Sequence, residues 1–272
     1  MHPFINKYKK EILVAFWFLF TYTPTIMWMW DRWFVKDSYY THGFLIPFIT
    51  GFLIWLRWED LRKTPQKRSR WGVPLIVSGM VIHVISSFFR VYFSSALSML
   101  IVLSGLILYF YGKKIYHKVL FPVLFLFFMM PAPLIVITNI SFKMKILAAE
   151  IAREVLTNMG FVALREGSII KMQHVYVVVD DICSGLRSLI SLTALGSLFA
   201  YWMDAPLWKR AIVFASTVPI AIITNVLRII LLSVIAEIWG PQYTLGFIHD
   251  LSGFLVFGFA FILLFVVGRL VE

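Results

Sequence analysis

Long apolar runs alternate with short cationic stretches along almost the whole chain. A membrane span needs about 20 predominantly apolar residues. Eight runs approach that length, at approximately 11–30, 43–57, 72–89, 94–112, 119–138, 183–203, 211–238 and 250–268. The second and third are short or interrupted. The pattern predicts an all-α integral membrane protein of about eight transmembrane helices, read as one polytopic domain over residues 1–272. The first run follows Lys7, Lys9 and Lys10 and lacks a small-residue cleavage pattern, so it reads as a span rather than a cleaved signal.

The period changes between the fifth and sixth runs. Residues 141–159 mix Lys143, Lys145, Glu150, Arg153 and Glu154 with aliphatics at helical spacing. That pattern suits an amphipathic helix lying in the membrane interface. Residues 161–180 then read as strand-like, with Gly167 as a turn and Val175-Tyr176-Val177-Val178-Val179 as a β-branched run. A small β-hairpin-like lid before the sixth span is expected within the 139–182 insertion.

Charge orients this frame. The chain carries 25 Lys+Arg against 14 Asp+Glu, a formal net charge of +11. Cationic clusters precede the first run and follow the second, fourth, sixth and eighth. These are alternate connections, so one side of the membrane can hold them all. The excess of Lys and Arg on cytoplasmic loops makes that side the inside. Both termini then lie in the cytoplasm, and the 31–42 loop, the 139–182 insertion and the 239–249 loop lie outside. With 60% hydrophobic residues and no soluble domain, the basic balance does not point to nucleic acid.

Three polar residues interrupt the apolar runs on the expected outer side. Cys183 is the only cysteine and stands where Asp180-Asp181-Ile182-Cys183-Ser184-Gly185-Leu186-Arg187 enters the sixth run. A helix N-terminus and a nearby cation, here Arg187, both favour the reactive thiolate. Ser184-Gly185 allows another backbone to approach closely. Arg228 lies deep in the seventh run, three residues after Asn225 and on the same helix face. A charge inside a span costs roughly 2.5–3.5 kcal/mol on insertion scales and marks function by default. His249 opens the eighth run, and a histidine can take and return a proton near neutral pH. Each residue also has a plain reading: a small buried thiol, a snorkelling arginine, an interfacial histidine. His42, His83, His117 and His174 compete for the acid–base role. The chain has no HExxH, no CxxC and no glycine-rich phosphate loop, so neither a metal nor another cofactor is expected.

In this order the motifs resemble the exosortase/archaeosortase family of integral membrane cysteine transpeptidases. The resemblance rests on Cys183-Ser184-Gly185-Leu186-Arg187, on Asn225-Val226-Leu227-Arg228, and on His249 followed by Gly253. Tyr40-Thr41-His42-Gly43 and Met130-Pro131-Ala132-Pro133 add weaker matches, while Asp181-Ile182 departs from the small residue expected before the cysteine. The resemblance implies a multi-pass protein of a prokaryotic inner membrane with its active site on the extracytoplasmic face. It implies Cys183 as nucleophile, His249 as acid/base and Arg228 as stabiliser of the oxyanion. Arg187, Asn225, Ser184, Gly185 and His42 follow as supporting or substrate-binding residues. The implied partners are membrane-anchored proteins with a C-terminal sorting signal: a short motif, a transmembrane helix and a basic tail. The acceptor of the cleaved chain stays open between a lipid, a polysaccharide and water. Two other classes fit the residues alone. One is a transporter lined by Arg228, His249 and Glu237. The other is a membrane acyl- or glycosyltransferase acting on a lipid-linked substrate.

Overall fold

The computed structural model describes residues 9–180, 184–244 and 246–272; for residues 247, 249 and 250 it describes the backbone only. The chain divides into two compact units, residues 1–131 and 132–272.

In the first unit, the run expected as one span at 11–30 is two helices, α1 (Lys9–Thr21) and α2 (Thr23–Phe34), bent by 61° at the break. Pro24 sits in the first turn of α2. A proline has no N–H for the preceding turn and its ring crowds it, so the helix restarts rather than continues. After a 3-10 turn at Gly43–Leu45 come α3 (Ile46–Leu56), α4 (Trp58–Lys63), α5 (Gly72–Phe88), α6 (Tyr92–Tyr111) and α7 (Lys113–Phe125). Helices α5 and α6 pack closely because small residues meet: a Cβ on Gly105 would lie 2.8 Å from Ile76 Cγ1 and 2.9 Å from the Gly72 carbonyl. The Trp33 indole N–H donates to the Met129 carbonyl at 2.8 Å, tying α2 to the 3-10 turn Leu126–Met129 that follows α7.

The broken first run is held by buried polar side chains from α5 and α6. The Tyr22 hydroxyl lies 2.9 Å from Ser98 Oγ, and Thr25 Oγ1 lies 2.6 Å from Ser95 Oγ. His83 Nδ1 lies 2.9 Å from the same Ser95 Oγ, and beside the break the Thr23 hydroxyl donates to the Leu19 carbonyl at 3.0 Å. Within an apolar environment a freed backbone group must find such a partner.

The second unit begins with α8 (Leu134–Asn158). The run expected to span at 119–138 is therefore interrupted at Met130-Pro131-Ala132-Pro133, and the expected amphipathic helix is the continuation of α8 rather than a separate element. Where a hairpin is expected, three short antiparallel strands form: β1 (Leu164–Glu166), β2 (Ile169–Lys171) and β3 (Tyr176–Val178), in the order β1-β2-β3. Gly167 makes the first turn with a left-handed φ of 61°. The helices α9 (Leu186–Trp202), α10 (Leu207–Trp239) and α11 (Phe247–Val271) complete the unit.

Two apolar cores organise it. Ile170, Met172, Val175 and Val179 of the sheet region pack with Ala148, Ala149, Ala152 and Leu156 of α8 and with Val226, Ile229 and Ala236 of α10. Leu192 of α9, Val213, Ile220 and Ala221 of α10, and Ala260 and Leu264 of α11 form the other. The sheet is also clamped to the end of α10. The Glu237 carboxylate accepts the His174 backbone N–H at 3.2 Å and lies 2.7 Å from His174 Nδ1.

Among the described residues, three helices are long and apolar enough to cross a membrane, or up to five if each bent pair counts as one span. The helices Gly43–Leu56 and Gly72–Phe88 are apolar but shorter. About eight spans were expected, the second and third of them short or interrupted; prolines and tight turns divide several of the apolar runs into shorter helices. By contrast, α10 has 33 residues, about 50 Å long, well beyond the roughly 30 Å of a hydrocarbon core.

Candidate functional site

Gly185 is the hinge on which the site is built. It precedes α9 with φ +80°, a left-handed conformation that glycine adopts without strain. A Cβ there would lie 2.8 Å from Asn225 Cγ, so the residue fits flat against the Asn225 side chain. Ser184 is fully buried, and its Oγ accepts the Leu186 backbone N–H at 3.3 Å, satisfying one of the free donors at the start of α9. Further along, Gly196 of α9 packs on Thr217 of α10. These two contacts fix the antiparallel register of α9 and α10. They bring the start of α9 to the level of Asn225.

On α10, Asn225 and Arg228 are 3% and 9% exposed. Arg228 reaches the first turns of α11. Its Nε donates to Ser252 Oγ at 3.1 Å, and a Cβ on Gly253 would lie 3.3 Å from its Nη2. Gly253 thus leaves room for the guanidinium, and Ser252, itself 3% exposed, orients it. Ser252 was not legible as a partner: a serine inside an apolar run is unremarkable until the run is paired with another. The only trace is its position in His249-Asp250-Leu251-Ser252-Gly253, three residues after the candidate histidine.

Of the residues expected at the site, Gly185 meets Asn225 of α10, Arg228 of α10 meets Ser252 and Gly253 of α11, Ser184 adjoins Gly185, and Arg187 lies in the first turn of α9. Cys183 lies outside the described residues. His249 belongs to the first turn of α11, whose backbone is described there, one helical turn before Gly253. His42 belongs to the first unit, next to the Gly43–Leu45 turn. It is half-buried with its ring 6.1 Å from that of Tyr40, and burial holds its imidazole below the usual histidine range.

The polar contents of this corner are not fully paired. Arg187 has Nε and Nη2 buried without a hydrogen-bond partner. Leaving a buried donor unmade costs roughly 1–3 kcal/mol, more for a charged group. Glu237, which a transport path would need facing a cavity, is instead bonded to His174 and its side chain is 8% exposed. Among the described residues, no group of three or more His, Cys, Asp or Glu side chains is placed to hold a metal ion.

Mostly helical, with three helices among the described residues long and apolar enough to cross a membrane, this is an integral membrane protein. The chain belongs to the transmembrane exosortase family, whose model (Exosortase_EpsH) matches residues 29–266. No curated protein and no solved structure matches it significantly.

Proposed function

We propose that the protein is an exosortase-type cysteine transpeptidase that cleaves a C-terminal sorting signal and passes the exported chain to an acceptor. The observation that carries this reading is the buried Arg228, held by Ser252 and Gly253 of α11 on the helix face it shares with Asn225, against which Gly185 packs. Cys183 is two residues before Gly185 in the chain. His249 is four residues before Gly253, one helical turn away.

In this mechanism the Cys183 thiolate attacks the scissile carbonyl carbon. Arg228 stabilises the developing oxyanion with N–H groups fixed in advance. The C–N bond then breaks, His249 protonates the departing amine, and a thioester to Cys183 remains. An amine or hydroxyl on a lipid or polysaccharide, or water, attacks the thioester and regenerates the thiol. The substrate is a membrane-anchored protein ending in a short motif, a transmembrane helix and a basic tail.

Depth supports an extracytoplasmic site in the inner membrane. The 18 residues from Arg210 to Arg228 span about 27 Å, close to the hydrocarbon thickness of about 30 Å. With Lys209 and Arg210 at the cytoplasmic surface, Arg228 reaches the outer boundary, and the sheet packed on Val226, Ile229 and Ala236 stands at or beyond it.

The test is co-expression of the full chain with a reporter bearing such a signal from a protein encoded in the same genome. Wild type should shorten the reporter, and Cys183→Ala should leave it intact. A trapped reporter thioester on Cys183, found by mass spectrometry, separates this enzyme from a lipid-linked transferase. Processing by the Ala variant would exclude Cys183 as nucleophile.

A further inference from the structure

Two stretches of the first unit that are far apart in the chain bring cations to one surface. The loop after α4 carries Lys67, Arg68 and Arg70, and α7 opens with Lys113 and Lys114. The fold sets these segments side by side. A Cβ on Gly112 would overlap the Lys67 carbonyl, so the loop backbone lies directly against the start of α7. Lys118 Nζ donates to Asp60 Oδ1 at 2.6 Å and to Thr64 Oγ1 at 3.0 Å, which ties the start of the loop to α7 one turn further on. At the end of the loop, Lys113 Nζ lies 6.0 Å from the centre of the Trp71 ring.

Acids of the same segments do not neutralise this surface. Across residues 57–72 and 111–118 the acids are Glu59 and Asp60, and Asp60 is taken by Lys118. The side chains of Lys67, Arg68, Arg70, Lys113 and Lys114 are exposed and make no ion pair among the described residues. Like charges held together in this way favour an anionic partner. The tryptophans decide which kind. Trp55, Trp58 and Trp71 are exposed along the same stretch. Indole rings prefer the headgroup level of a bilayer, where one end is apolar and the other wet. A soluble polyanion has no use for such apolar neighbours. A phospholipid places a phosphate among the cations and its chains against the indoles.

We propose that this surface binds an anionic phospholipid, with the headgroup phosphate among Lys67, Arg68, Arg70, Lys113 and Lys114 and an acyl chain along Trp71. The proposal is independent of the cysteine chemistry. It also goes beyond the orienting role of loop charge, which needs cations in the right loops but gives the folded protein no preference for one lipid.

The test uses the full-length protein in an uncharged detergent, titrated with phosphatidylglycerol or phosphatidylcholine in mixed micelles. Binding is read by native mass spectrometry and by the rise in melting temperature. Phosphatidylglycerol should bind at least about tenfold more tightly than phosphatidylcholine. Lys113→Gln with Lys114→Gln should weaken phosphatidylglycerol about fivefold per cation removed. Lys67→Gln, Arg68→Gln and Arg70→Gln together should do the same from the other segment, so the outcome does not hang on one variant folding. Neither set should lower the melting temperature measured without lipid, because these side chains hold no ion pair within the fold. Two charges removed elsewhere, by Lys36→Gln and Lys143→Gln, should leave the affinity at the wild-type value. Equal affinity for the two lipids, or an equal loss in the Lys36/Lys143 variant, overturns the proposal. Glycerol phosphate competing as well as the intact lipid overturns it too, since the acyl chains would then play no part.

Discussion

Each unit of this protein buries a polar cluster among apolar helices, and the two clusters are finished differently. In the first unit, Tyr22, Thr25, His83, Ser95 and Ser98 bond one another or nearby backbone across a broken helix. In the second, Asn225, Arg228 and Ser252 converge with the Gly185 corner, yet one edge of Arg187 is left without a partner. A closed network fixes helix packing and gains nothing from a ligand. An open one retains donors that only a ligand can use, at a cost to the folded state. In this protein the network that does not close is the one at the candidate site's end of α9.

The largest expected effect lies at the open cluster. Cys183→Ala should lower reporter processing at least about a thousandfold, as loss of a nucleophile does elsewhere, with no change in melting temperature. Arg228→Lys should follow, at roughly a hundredfold in kcat, the scale of losing an oxyanion donor. Full activity in that variant would remove Arg228 from the oxyanion role. Gly185→Ala should be mainly structural. The left-handed conformation costs a non-glycine residue roughly 1–2 kcal/mol, and the added carbon meets Asn225. A melting temperature lowered by several degrees in detergent checks this; an unchanged one would mean that the corner is more yielding than its contacts indicate.

The smallest functional effect belongs to the closed cluster. Ser95→Ala removes the shared partner of Thr25 and His83 and should destabilise by about 1–3 kcal/mol. The folded fraction should keep wild-type kcat/KM for the reporter. A changed kcat/KM would show that the two clusters communicate, and the contrast between them would fail.

Much of the second unit's candidate site can be proposed from the chain alone. Arg228 within an apolar run, Asn225 three residues before it, and the Cys183–Arg187 stretch at a polar-to-apolar boundary announce themselves through the cost of placing polar groups there. The first unit's seam was hidden. Serines, threonines and single histidines are common enough in apolar runs that none points to another. The break at Tyr22-Thr23-Pro24 lay inside a run read as one continuous helix, because hydropathy averages over the proline that ends the turn. The 139–182 segment was partly legible. Its change of period marked strands, but not the third strand or the His174–Glu237 clamp.

The amino-acid sequence by itself determined the membrane class, the alternation of cationic connections and the residue types available for chemistry. These follow from transfer free energies, which act on each residue locally. The tertiary structure decided which helices break, that Ser252 and Gly253 receive Arg228, and that an edge of Arg187 is left open. Hydrogen-bond completion depends on the register of helices far apart in the chain, and no local pattern encodes which donors will meet a partner.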